Sequence, residues 1–194
     1  MNDPDPFVAT AALAEVLHAL RIPYVIGGSL ASMLHGEWRL TNDVDVAIAL
    51  TSWQVETLAR LLDRAFIVDR ESIAEAVREH SSFNAIHRSP WVKMDVYVRK
   101  PEGHFAEELK RALKHQVGDD AEQFAFFCTP EDIVLQKLRW YRLGGGASDR
   151  QWRDILGVLK RSHDRIDFDY LRTWAGKLGV TDLLQRALVE SGSG

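Results

Sequence analysis

The most constraining feature of this sequence is an eight-residue run in which small or acidic residues alternate with larger aliphatic ones. Residues 43–50 read DVDVAIAL, a strict alternation that predicts a strand with one apolar face. Side chains at positions i and i+2 of a strand share a face, so Asp43 and Asp45 are expected to point the same way. Ala47 and Ala49 continue the acidic face and leave room beside the two carboxylates.

A second acidic strand is predicted over residues 92–98. Its apolar face holds three valines and a methionine, and its other face holds Lys93, Asp95 and Tyr97. If the two strands are neighbours, three carboxylates on one surface repel one another. Such repulsion raises the pKa values of the carboxyl groups or favours the binding of a metal ion. Carboxylate oxygens favour Mg²⁺ or Mn²⁺. We therefore predict that Asp43, Asp45 and Asp95 converge within about 6 Å on one metal site, the range over which such charges couple strongly.

A glycine pair follows the short apolar run at residues 24–26. Gly27 and Gly28 let the backbone approach a ligand closely, and Ser29 is expected to cap a helix over residues 30–35. A helix N-terminus favours phosphate, so we predict that Gly28 and Ser29 line the same pocket as the acids. The loop lacks the Lys-Ser/Thr ending of a P-loop.

The remaining periodicity predicts an α+β fold, in which a small mixed sheet is flanked by helices and followed by a helical C-terminal part. Further strands are expected at 66–68, 83–87 and 124–127, and helices at 7–21, 52–64, 72–79 and 104–114. Beyond residue 128 only helices are expected, near 129–142, 148–161, 167–178 and 181–190. The predicted organisation is a catalytic core over 1–128, a helical part over 129–190 packed on that core, and a disordered tail over 191–194.

The order of these motifs resembles the signature of the DNA polymerase β-type nucleotidyltransferase superfamily. The resemblance lies in IGGS at 26–29 and DVDV at 43–46, and RLTND at 39–43 is similar to the lead-in of minimal bacterial members. The segments TPEDIVLQK at 129–137 and SDRQWRDIL at 148–156 resemble AbiEii/AbiGii-like nucleotidyltransferases. The resemblance thus spans most of the chain.

The resemblance implies transfer of a nucleoside monophosphate from an NTP to a hydroxyl acceptor. Asp43 and Asp45 would bind Mg²⁺ or Mn²⁺, and Asp95 would complete the metal site and help to activate the acceptor. RNA is one candidate acceptor, and membership of a toxin–antitoxin pair would add an antitoxin protein as a partner. The nucleotide-binding residues implied are Gly27, Gly28, Ser29, Arg39, Thr41, Lys137 and Asp149.

Two of these residues have a plainer interpretation. Lys137 falls within the apolar stripe of its predicted helix, where it either reaches an anionic ligand or extends its amine to solvent along an apolar stem. Asp149 follows Ser148 at a predicted helix start, where an acid interacts favourably with the helix dipole. The arginines around the glycine run at 144–146 either form a phosphate-binding patch or belong to solvated helix faces; they are Arg139, Arg142, Arg150 and Arg153.

The composition limits the possible binding partners and the cellular compartment of the protein. The formal net charge is −4, so a polynucleotide would have to be held by a local basic patch. No apolar run approaches the roughly 18 residues of a membrane span, and the acidic start lacks the features of a signal peptide. The single cysteine, Cys128, is expected to be a buried thiol, and we expect a cytoplasmic protein. The alternative to an enzyme is a catalytically silent nucleotide-binding or protein-interaction module with the same fold.

Overall fold

The computed structural model describes residues 5–36 and 41–193, within which seven strands and nine α-helices lie. The strands are β1 (Tyr24–Ile26), β2 (Asp43–Ile48), β3 (Phe66–Val68), β4 (Ser82–Arg88), β5 (Trp91–Val98), β6 (Leu113–Gln116) and β7 (Phe124–Phe127). The helices are α1 (Pro6–Ala19), α2 (Gly28–His35), α3 (Val55–Leu62), α4 (Arg70–Glu79), α5 (Gly103–Arg111), α6 (Pro130–Leu143), α7 (Asp149–Ser162), α8 (Phe168–Leu178) and α9 (Thr181–Ser191).

The strands form one mixed sheet in the order β3-β4-β5-β2-β1-β7-β6. Four of its neighbouring pairs are antiparallel, and β2–β5 and β1–β7 are parallel. The two acidic strands, β2 and β5, are therefore neighbours near the centre of the sheet. Their apolar faces are fully buried and form the core of this region; the residues are Val44, Val46, Ile48, Met94, Val96 and Val98. The predicted α+β fold with a small mixed sheet flanked by helices is confirmed.

The chain divides into two compact units. The first comprises the described parts of Met1–Leu30 and Leu40–Phe127 and contains the whole sheet. The second comprises the described parts of Ala31–Arg39 and Cys128–Gly194, and it is helical. No helix among the described residues is long and apolar enough to cross a membrane.

Local sequence signals explain how the helices of the second unit begin and end. Thr129 caps α6, where its hydroxyl accepts a hydrogen bond from the backbone N–H of Asp132, and Pro130 occupies the first helical position. Gly179 ends α8 with a φ of +68°, as expected of a glycine C-cap. Cys128 is buried, as predicted.

Three local predictions need correction. Helix α2 begins at Gly28 and not at Leu30, so Ser29 lies in its first turn and is not its cap. The helix expected over 104–114 ends at Arg111, and the next residues form the edge strand β6. Helix α9 runs to Ser191 and not to residue 190, Gly192 is its C-cap, and the N–H of Ser193 donates to the carbonyl of Leu188. The disorder expected for the tail stays a prediction.

Candidate active site

The parallel pairing of β2 and β5 brings the acidic residues of both strands onto one face of the sheet. In this register Asp45 is paired with Asp95, and Asp43 is paired with Lys93. Paired residues of neighbouring strands point to the same side, and both strands send their intervening apolar residues to the opposite, buried side. Asp43 is exposed, whereas Asp45 and Asp95 are half-buried. The three acids predicted from the sequence therefore share one surface.

Gly28 contacts the carboxyl group of Asp45. A Cβ atom placed on Gly28 would lie 1.8 Å from Oδ2 of Asp45, and Gly28 has a φ of +58°, a conformation that favours glycine. The N–H of Gly27 donates to the carbonyl oxygen of Asp45 at 2.9 Å, which joins the glycine pair to β2. The first turn of α2, which contains Ser29, thus begins beside the half-buried aspartate of the site.

Thr41 holds the start of β2 in place. Its buried side chain donates a hydrogen bond to the backbone carbonyl of Asp43 at 3.0 Å and accepts one from the N–H of the same residue at 3.4 Å. The hydroxyl is thus engaged with the backbone of a predicted metal ligand. Arg39, predicted to bind nucleotide, lies outside the described residues.

Lys93 contributes a cation to this face and is a site residue that was not predicted from the sequence. Its Nζ lies 2.8 Å from Oδ1 of Asp95 and 3.0 Å from Oδ2. The hydrogen bond to Asp95 raises the pKa of Lys93, and the charges of Asp95, Asp43 and Asp45 add to this shift. The available signal was its position two residues before Asp95, which places both side chains on one strand face.

Tyr97 and Asn84 extend the same surface. Burial raises the pKa of Tyr97 to about 12, and the negative charges of Asp45 and Asp95 and a hydrogen bond with Asp45 act in the same direction. Asn84 on β4 is paired with Asp95 and is exposed, so its amide lies on the acidic side of the sheet. Neither residue was assigned a role from the sequence.

The acidic face offers the oxygen ligands that a hard divalent cation prefers. Among the described residues, however, no three carboxylate, imidazole or thiolate side chains form a group that could hold a metal ion. The cation that Asp95 contacts in this structure is the Lys93 ammonium. The metal role of Asp43, Asp45 and Asp95 therefore stays a prediction, one that fits the donor chemistry and requires Asp95 to exchange Lys93 for the ion.

The predicted nucleotide-binding residues of the second unit have local partners or local roles. Lys137 is nearly buried, and its Nζ lies 2.8 Å from Oδ2 of Asp154 on α7. Its position inside the apolar stripe of α6 is thus accommodated by an ion pair within the unit. Asp149 is the exposed first residue of α7, where an acid suits the helix dipole, and Ser148 caps that helix.

A cavity of about 470 Å³ in the first unit lies elsewhere and includes none of the predicted site residues. Its wall holds aromatic and basic side chains, and the Tyr24 hydroxyl and His18 Nε2 are 2.9 Å apart beside it. Burial and the nearby charge of Lys114 lower the pKa of His18.

Two solved structures are similar to this chain over nearly its whole length. The antibiotic-resistance factor ANT(2″)-Ia in complex with adenylyl-2″-tobramycin matches with a TM-score of 0.58 at 10% identity, covering 90% of this chain and 97% of the other. An antigenic nucleotidyltransferase-like protein from Paracoccidioides brasiliensis matches with a TM-score of 0.57 at 18% identity, covering 95% and 92%. No protein-family profile and no curated protein matches the sequence. The likenesses show that the chain has the nucleotidyltransferase fold.

Proposed function

We propose that this chain is a metal-dependent nucleotidyltransferase that moves a nucleoside monophosphate from an NTP to a hydroxyl acceptor. The observation that carries the proposal is the contact of Gly28 with Asp45 on a strand whose neighbour pairs Asp95 with Asp45. A glycine-led helix start, which suits a phosphate, thus adjoins carboxylates that suit a metal.

The residues of the acidic face would have separate roles in the reaction. Asp43 and Asp45 would hold Mg²⁺ or Mn²⁺, which when bound supplies Lewis-acid stabilisation of charge on the phosphate oxygens. Asp95 would accept the proton of the acceptor hydroxyl, whose oxygen forms a bond to the α-phosphorus. The bond from that phosphorus to the bridging oxygen of the β-phosphate breaks, and pyrophosphate leaves. The backbone around Gly28 and Ser29 would receive the triphosphate.

The identity of the acceptor and the biological role are finer parts of the same proposal. The resemblance to AbiEii-like proteins supports a toxin acting with an antitoxin partner, and the fold shared with ANT(2″)-Ia supports a small hydroxyl compound as the acceptor. Lys137 and Asp149 stay candidates for contacts with the nucleotide. Their ion-pair and helix-start roles do not require a nucleotide.

A silent module is the second candidate, and one observation favours it. The Lys93 ammonium contacts Asp95, the carboxylate that the enzyme hypothesis requires to be available to the ion and the acceptor. If that ion pair persists in the presence of Mg²⁺ and NTP, the acidic face would bind a nucleotide or a protein without performing transfer.

Thermal denaturation in the presence of NTP and Mg²⁺ tests the shared first step of the proposal. A ligand present at about 100 times its Kd stabilises the native state by about 2.7 kcal/mol, so the melting temperature should rise measurably. Asp43→Asn/Asp45→Asn should abolish that rise, because the ion and the triphosphate lose their ligands.

The double variant Glu75→Gln/Asp119→Asn is the matched control, since both residues are exposed acids elsewhere in the first unit. It removes the same charge and should keep the rise in full. A rise that survives the Asp43→Asn/Asp45→Asn change would contradict the assignment of the site.

A further inference from the structure

The exposed face of α7 carries a row of cations that the proposed reaction does not use. They are Arg150, Arg153, Lys160 and Arg161, and all four are exposed. With 3.6 residues per turn, they fall within an arc of about 100° around the helix, and Arg150 and Arg161 are about 16 Å apart along its axis. The opposite side of α7 is buried through Trp152, Ile155, Val158, Leu159 and Ser162. We call these four cations the α7 stripe.

No cation of the α7 stripe has an ion-pair or hydrogen-bond partner for its side chain within residues 5–36 and 41–193. Other cations of the same unit do have acidic partners: Arg142 pairs with Asp182, and Arg186 pairs with Glu190.

An acid was available to the stripe at helical spacing. Asp154 lies four residues after Arg150, but its carboxylate pairs with Lys137 of α6. Two exposed acids also lie at helical spacing from the stripe, Asp149 four residues before Arg153 and Asp164 four residues after Lys160, but neither forms an ion pair with it. The stripe therefore presents four cations to solvent without an ion-pair partner among the described residues.

The charges of the chain are also distributed unequally. Residues 1–127 contain thirteen Lys and Arg against nineteen Asp and Glu, whereas residues 128–194 contain eleven against nine. The formal charge is therefore −6 for the first segment and +2 for the second, which together give the −4 of the whole chain. A polyanion repelled by the first segment would still be attracted to the second, which is the local patch that an acidic protein needs.

We infer that the α7 stripe binds the phosphate backbone of a nucleic acid. Three of its four cations are arginines, whose guanidinium groups bind phosphate through two parallel hydrogen bonds. A row of charges along about 16 Å of helix matches a polymer that repeats a negative charge every few ångströms.

An acidic protein surface is the weaker match for the stripe. Protein interfaces contain an apolar centre, and none of the exposed large hydrophobic residues belongs to α7. Contacts to phosphate carry little sequence information, so we expect binding that depends on salt and tolerates different sequences. The stripe offers no basis for reading bases.

Fluorescence anisotropy with a labelled, mixed-sequence single-stranded RNA of about 20 nucleotides tests this inference on the full chain without NTP or metal. Four phosphate contacts on a single strand give a slope of about 2.8 for log Kd against log salt concentration. Kd should therefore rise about 50-fold between 50 and 200 mM salt. In Arg153→Gln/Lys160→Gln two phosphate contacts remain, and the same change in salt concentration should raise Kd only about 7-fold. Glutamine keeps helix propensity, so the melting temperature should be unchanged.

Arg60→Gln/Arg64→Gln is the matched control, because it removes two exposed cations from the first unit. It should leave the slope unchanged. An equal loss of slope in this control would show that only net charge matters and would overturn the inference, as would the absence of salt-dependent RNA binding.

Polyglutamate at equal charge concentration serves as the competitor. If it displaced the RNA completely, the stripe would be a site for acidic proteins and the assignment to nucleic acid would be wrong. Because neither NTP nor metal is present, these outcomes are independent of the proposed transfer activity.

Discussion

Gly28 lies so close to Asp45 that a Cβ atom on the glycine would sit 1.8 Å from the Oδ2 atom of the aspartate. The contact joins the first turn of α2 to the acidic face of the sheet, and it leaves no space for any side chain at residue 28. Two features therefore favour glycine at residue 28: the lack of space beside Asp45, and a φ of +58°, which is unfavourable for other residues.

The replacement Gly28→Ala should therefore destabilise the protein and displace the Asp45 carboxylate. Gly103→Ala is a close control, because Gly103 has the same φ of +58° and no atom within 4 Å of the added Cβ. Gly103→Ala should lower the free energy of unfolding by about 1–2 kcal/mol because of the backbone conformation alone. Gly28→Ala should cost more and should also weaken NTP binding; the measurements are urea denaturation and titration with NTP. Equal costs for both variants would show that the contact with Asp45 relaxes freely.

Lys93→Met should increase the stabilisation of the protein by divalent ions that bind the acidic face. The variant keeps the apolar stem and removes the ammonium that contacts Asp95, so the three carboxylates lose their neutralising cation. We expect a lower melting temperature in EDTA and a larger rise on addition of Mn²⁺ than in the parent. Lys100→Met, at an exposed lysine just beyond β5, should respond to Mn²⁺ as the parent does. A smaller Mn²⁺ response in Lys93→Met would indicate that Lys93 organises the metal ligands instead of competing with the ion.

Tyr97→Phe should change the stability of the protein at high pH. The pKa of Tyr97 is raised to about 12 in the folded state, against about 10 for a free tyrosine. A raised pKa means that the folded state favours the neutral hydroxyl. Its contribution is complete below pH 10 and is lost as the pH rises from 10 towards 12. Urea denaturation between pH 9 and 11 should show a steeper loss of stability in the parent than in Tyr97→Phe. Parallel curves would contradict the raised pKa.

The ion pair of Lys137 and Asp154 can be separated from any role in nucleotide binding. Lys137→Met should destabilise the protein because it leaves Asp154 partly buried without its cation, at a cost of about 1–3 kcal/mol for a group that retains some solvent access. In a double-mutant cycle, Asp154→Asn combined with Lys137→Met should cost less than the sum of the single changes.

Titration with NTP then distinguishes the two roles of Lys137. If Lys137 also contacts phosphate, Lys137→Met weakens NTP binding, whereas Asp154→Asn does not. Equal NTP affinity in the parent and in both variants would assign Lys137 to the ion pair alone.

The periodicity of the sequence predicted the two acidic strands, because strict alternation reveals which residues share a face. It could not predict that β2 and β5 pair in the register that joins Asp45 to Asp95, since strand order depends on contacts between distant segments. The same limit applies to the Lys93–Asp95 ion pair. Strand alternation predicts that the two residues share a face, but which partner Lys93 contacts depends on the charges around it.

Edge strand β6 was missed for a different reason. Its residues, LKHQ, are mostly exposed and show no apolar alternation, so the strand depends on hydrogen bonding to β7 and not on a buried face. Helix α6 shows the opposite case. Its capping threonine, first-position proline and acidic first turn are local signals, and they predicted its start correctly.

The most direct test of the proposed function is transfer of label from an α-³²P-labelled NTP. Each NTP is incubated with Mg²⁺ or Mn²⁺ and with RNA, protein or small hydroxyl compounds as acceptors, and labelled product and pyrophosphate are measured together. We predict acceptor-linked label with stoichiometric pyrophosphate for the parent and for Glu75→Gln/Asp119→Asn, and at least a 100-fold loss for Asp45→Asn, since removing a key electrostatic contact to the transition state costs about that much. NTP binding without product from any acceptor, or full activity in Asp45→Asn, would contradict the assignment of a transferase centred on Asp45.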